Sequence, residues 1–159
     1  MCGPETPSST PRIGARVNLF SPGGSLGNLL FHNPCSPSSL HATHVRFVPN
    51  SNSSASPATT APDENVLLSI HTTGDLTKPL ADAGLMQEFT VHSGLLAVSG
   101  PERRQNAGGE GVEIPLGMAL SLEVGNDGII GRRVSMRRGC GELLADGIVG
   151  FNFSPAVTA

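Results

Sequence analysis

A chain of 159 residues with a formal net charge of −3 and 14% charged side chains has room for one domain around one core. The acidic balance and the single lysine, Lys78, are a poor footprint for duplex DNA or RNA. Tyr 0 and Trp 0 also remove the stacking platforms that hold single-stranded nucleic acid, so no nucleic-acid partner is expected.

Residues 1–12 are rich in Pro, Ser and Thr and read as a disordered tail. From residue 13 to 155 the pattern is that of one all-β domain. Val17 and Leu19 alternate with Arg16 and Asn18, and Ser21-Pro22-Gly23-Gly24 supplies turn chemistry before Leu29. Val45 and Phe47 alternate with His44 and Arg46. Residues 49–64 form a Ser/Pro/Ala-rich stretch, read as a long surface loop inside the domain.

Val66, Leu68 and Ile70 then alternate with Leu67, Ser69 and His71. A short helical turn is predicted over Thr77–Ala83, with Pro79 in its first turn and Gly84 as its cap. Phe89 and Val91 alternate with Glu88, Thr90 and His92, and His92-Ser93-Gly94 marks a break between strands. Residues 100–111 read as a flexible connection. Met118, Leu120, Leu122 and Val124 alternate up to Gly125-Asn126-Asp127-Gly128, the strongest hairpin signal in the chain. Val149, Phe151 and Phe153 close the series. Eight to ten short strands in one domain predict a single antiparallel β-barrel or a jelly-roll sandwich with one helical turn.

Three cysteines, Cys2, Cys35 and Cys140, are odd in number and widely spaced, with no C-x-x-C pair. No apolar run approaches the length of a bilayer span, and the N-terminus lacks the basic-then-apolar order of a signal peptide. The expectation is a cytoplasmic protein with reduced thiols, no membrane partner, no metal and no cofactor.

Met1-Cys2-Gly3 resembles the opening of N-terminal-nucleophile amidotransferases, but Pro4 departs from that pattern at once. The stretch Gly109–Gly117 resembles the glycine-proline-glycine spacing of the second cupin motif. That motif's histidine would fall at Leu120, and the H-x-H of the first motif is missing. No Walker loop, nucleophile elbow or complete dinucleotide fingerprint is present.

The residues opposite the core are the more informative set. They include Arg16, Asn18, His44, Arg46, Ser69, His71, Glu88, Thr90, His92, Ser121 and Glu123. Imidazole and carboxylate side chains gathered in a pocket trade protons near neutral pH. The expected catalytic residues are His71, Glu88 and His92, with Arg133, His44 and Arg46 as ligand-binding residues. Arg132, Arg133, Arg137 and Arg138 form a basic run that suits either an anion site or a charged edge strand. The leading functional expectation is a small-molecule-binding barrel with a polar-lined pocket. Cofactor-free isomerase, cyclase or lyase chemistry is what its His and Glu residues would support. The alternative is a non-catalytic protein–protein interaction or homo-oligomerisation module.

Overall fold

In each alternating segment one set of side chains is apolar, so each can bury one face only by pairing with neighbours in a sheet. The computed structural model describes residues 12–49, 65–92 and 112–153, and nine strands occur among them. They are β1 (Arg12–Ser21), β2 (Gly24–His32), β3 (His41–Pro49), β4 (Asn65–Ile70), β5 (Gln87–His92), β6 (Val112–Val124), β7 (Gly128–Ile130), β8 (Arg133–Arg138) and β9 (Leu143–Phe153). About two thirds of the described residues lie in strands. The expected tail, apart from Arg12, and most of the Ser/Pro/Ala loop fall outside the described residues; Arg12 opens β1.

The strands form a single sheet in the order β5-β4-β8-β9-β1-β2-β3-β6-β7. Every neighbouring pair is antiparallel except β6 with β7. The sheet curls into a half-barrel. Its concave side gathers Val17, Leu19, Leu29, Phe31, Val45, Phe47, Val66, Leu68, Ile70, Leu122, Val134, Met136 and Val149 into one apolar core. Side chains from β2, β3, β4, β5, β6 and β8 surround a central void of only about 10 Å³, so the interior is packed rather than hollow.

The β1–β2 hairpin forms as expected, with Gly24 at φ +121° in its turn. The predicted helical turn is a 3-10 turn at Leu80–Asp82, and Gly84 follows at φ +70°.

At Gly125–Gly128 the turn forms and Gly128 N donates to Gly125 O, but the flanking strands do not make an antiparallel hairpin. The left-handed positions are Gly125 and Asn126; Gly128 is needed for a different reason. A Cβ there would lie 1.9 Å from Glu123 O. Ile129 and Ile130 are both buried, so β7 turns into the core instead of alternating beside β6.

Two strands run past the core they help to build. Phe151 and Phe153 share a face with Val149 yet remain about half exposed, with Arg12 stacked 4.4 Å from the Phe151 ring centroid. On β6 the register against β3 jumps from Pro115 opposite His44 to Leu120 opposite Ala42. The extra residues carry Met118 outward, which is why it is exposed while Leu120 and Leu122 are buried.

Candidate functional site

The apolar core places the polar strand positions on the convex side. On the flank formed by β5, β4, β8 and β9, the ladder registers set Glu88, Ser69, Ser135 and Asp146 side by side in one row. The chain from His71 to Met86 folds back over part of this row. Its backbone is tied down by Arg133 N to Thr73 O, Thr73 N to Ala83 O and Met86 N to Ile70 O. Ser69, His71, Arg133 and Ser135 are buried on this flank.

Each of these groups has a partner, as buried polar groups require. The His71 ring lies between Gly84 O at 2.6 Å from Nδ1 and Ser135 Oγ at 2.7 Å from Nε2. A carbonyl only accepts, so Nδ1 carries the proton and the Ser135 hydroxyl donates to Nε2. This is the hydrogen-bonding pattern of a serine nucleophile and its base. Ser135 has no exposed surface, however, so no substrate reaches it in this conformation, and the pair pins the 71–86 segment to the sheet.

Arg133 sends Nε to Asp146 Oδ2 at 3.0 Å and Nη1 to Lys78 O at 2.9 Å. The counter-anion of Arg133 is therefore internal. The rest of the basic run is engaged as well. Arg132 donates to Gly128 O, Thr72 O and Asn126 O, Arg137 pairs with Glu88, and Arg138 pairs with Glu142. Arg132 ties the Gly125–Gly128 turn to the residue that follows His71. The sequence shows the arginine, but nothing in it marks those three carbonyls as its partners.

Glu88 lies at the border between this flank and open space. Its Oε2 accepts from Ser69 Oγ at 2.9 Å and from Arg137 Nη2 at 3.0 Å. His92 ends β5, and its side chain lies outside the described residues. The structure thus sets His71 just after β4 and Glu88 on the neighbouring β5, linked to two serines that face each other, without bringing the two side chains into contact.

Beyond β5 the curled sheet stops. A groove of about 380 Å³ separates β5 from the first half of β6. Gln87, Glu88, Phe89, Thr90 and Val91 form one bank, and Ile114 to Met118 form the other, with Val45 between them.

His44 and Arg46 stand on the opposite flank. Arg46 Nη2 donates to Glu113 Oε1 at 2.7 Å, and His32 Nε2 lies 3.1 Å from the same oxygen. His44 Nδ1 is 2.8 Å from Thr43 Oγ1. Burial holds the His32 imidazole below its ordinary pKa; Glu113 opposes that shift, while Arg46 and His44 add to it.

Among the described residues, no group of three or more His, Cys, Asp or Glu side chains is placed to hold a metal ion. No helix there is long and apolar enough to cross a membrane. Cys35 and Cys140 are exposed and free. No family model, curated protein or solved structure matches this chain. The class defined by fold and surface is an open all-β half-barrel with a packed interior, a polar network under one flank and a groove at its seam.

Proposed function

We propose that this protein binds a small molecule in the groove between β5 and β6, with Glu88 as the polar anchor that orients it. The observation that carries this reading is the groove itself. At about 380 Å³ it falls within the size range of small-molecule sites, roughly 300–1,000 Å³. Phe89, Val91, Ile114, Leu116 and Val45 offer an apolar bed, and Gln87, Glu88 and Thr90 supply the few polar groups that would fix orientation.

The ligand this arrangement favours has a compact apolar body and an N–H or O–H donor. Glu88 is already held on Oε2 by Ser69 and Arg137, so its position is set before a ligand arrives. Proton transfer to or from such a ligand would rest on Glu88, because His71 is walled off by the 71–86 segment.

A matched pair of probes tests the reading. In NMR titrations, 1-aminonaphthalene is expected to shift the methyl signals of Val45, Val91 and Ile114. It should bind about tenfold more tightly than naphthalene, the value of one hydrogen bond to a charged acceptor. Glu88→Gln should remove most of that advantage and leave naphthalene binding almost unchanged. Shifts that avoid the groove would overturn the proposal. So would sedimentation that shows a second copy filling the groove as protein concentration rises, the outcome expected of an oligomerisation module.

A further inference from the structure

On the flank away from the buried network, the rows of the sheet bring nitrogen-bearing side chains together. Arg16, Leu30, Arg46 and Glu113 lie in one row from β1 to β6, and in the next row His32 faces His44. Glu113 is the carboxylate that meets this group. Arg46 Nη2 from β3 and His32 Nε2 from β2 converge on a single atom, Glu113 Oε1. Yet Arg46 Nε and His32 Nε2 are buried and make no hydrogen bond among the described residues. Glu113 Oε1 accepts from Arg46 Nη2 and leaves Arg46 Nε and His32 Nε2 unmatched.

We propose that this cluster is an oxyanion site occupied from within. A carboxylate or phosphate oxygen of an outside ligand takes the place of Glu113 Oε1 and engages Arg46 Nε together with the His32 and His44 rings. The guanidinium fork can bind two oxygens of one anion side by side, which the single Glu113 oxygen on Nη2 does not exploit. Partial burial strengthens the attraction, since the side chains of His32 and Arg46 are only 20% and 29% exposed.

Charge on the surrounding elements points the same way. His32 is faced by Glu113 from β6 and by Arg46 and His44 from β3, and β1 adds Arg16 in the adjoining row. A bound anion offsets the burial and the Arg46 charge that hold the His32 pKa down, so binding and protonation of His32 reinforce each other.

The experiment is an NMR titration of the histidine rings with sodium phosphate, sodium acetate and sodium chloride at matched ionic strength. It is run on the wild type, Glu113→Gln and Arg46→Gln. Phosphate is expected to shift His32 and His44 in the wild type, raise the pKa of His32 and leave His41 in place. Glu113→Gln should bind about tenfold more tightly because the internal competitor is gone. Arg46→Gln should lose the response. The His71 ring, locked between Gly84 and Ser135, reports that each variant is folded. A response to phosphate alone identifies a phosphate site, and an equal response to acetate identifies a carboxylate site. The proposal fails if phosphate and acetate act no differently from chloride on the wild type. It also fails if Glu113→Gln binds more weakly or Arg46→Gln responds like the wild type.

Discussion

On the β4–β8–β9 flank, the outward residues Ser69, His71, Arg133 and Ser135 are buried, and each has a hydrogen-bond partner, with the 71–86 segment supplying Gly84 O and Lys78 O. On the β2–β3–β6 flank, the outward residues His32, His44, Arg46 and Glu113 keep contact with water, and His32 Nε2 and Arg46 Nε are unmatched. Both flanks are built from strands with the same alternation. What differs is the cover. The groups that bind the loop to the sheet are satisfied, as burial demands, although Thr73 Oγ1, Arg137 Nε and Arg138 Nε on that flank are unmatched too. The comparison therefore assigns the larger share of stability to the covered flank, and the oxyanion proposal concerns the open one.

The largest expected effect tests that assignment directly. Arg133→Ala strands the Asp146 carboxylate in a partly buried position and should cost on the order of 3–5 kcal/mol in denaturant unfolding. Arg46→Ala removes a solvent-reachable ion pair and should cost about 1 kcal/mol or less by the same measurement. Similar costs for the two variants would break the comparison.

His71→Ala ranks next. It removes the partner of the Ser135 hydroxyl and of Gly84 O and should cost roughly 2–3 kcal/mol. It should also unlatch the 71–86 segment, so hydrogen exchange should quicken at Thr73 N and Met86 N and stay slow at Val17 N. Uniform exchange changes across the sheet would mean that the segment and the barrel unfold as one unit.

The smallest effect is a pH dependence on the open flank. His32 binds its proton less tightly in the folded protein than in the unfolded chain, whose value is near 6.5. Its contribution to stability is therefore full above that value and is lost as pH falls below it. His32→Asn should flatten this acid-side loss, measured as the slope of unfolding free energy against pH between 7 and 5. An unchanged slope would remove His32 as the source.

Several expectations drawn from residue pattern meet their counterpart in the fold, and the reason is local. Val17, Leu19, Val45, Phe47, Val66, Leu68 and Ile70 are apolar at every second position, and all of them are buried. The β1–β2 turn and the short helical turn before Gly84 rest on residues that carry their own conformational preference. The same rule misplaces Met118, Val124, Phe151 and Phe153, which continue the alternation but extend past the region that neighbouring strands cover. It also misses the inward path of β7, because two adjacent isoleucines follow the packing and not the turn signal.

For the candidate site, the pattern singled out His71, Glu88, His44 and Arg46 as polar positions opposite the core, and the basic run added Arg133. It gave no basis for separating the pinned His71 from the partly exposed ion pair of Arg46. It also passed over Asp146, Ser135 and Glu113, the partners that decide what those residues do. Each partner is distant in sequence: Arg46 and Glu113 are 67 residues apart, and His71 and Ser135 are 64 apart.

The sequence by itself determined that the chain is built of strands and which face of most of them is apolar, because alternation is set by backbone geometry one residue at a time. Only the tertiary structure decided where the sheet ends, which polar positions a loop covers and which arginines already hold an anion. Those outcomes depend on the order of strands in the sheet and on the fold-back of the 71–86 segment. Both arise from pairing between parts of the chain that local periodicity does not connect.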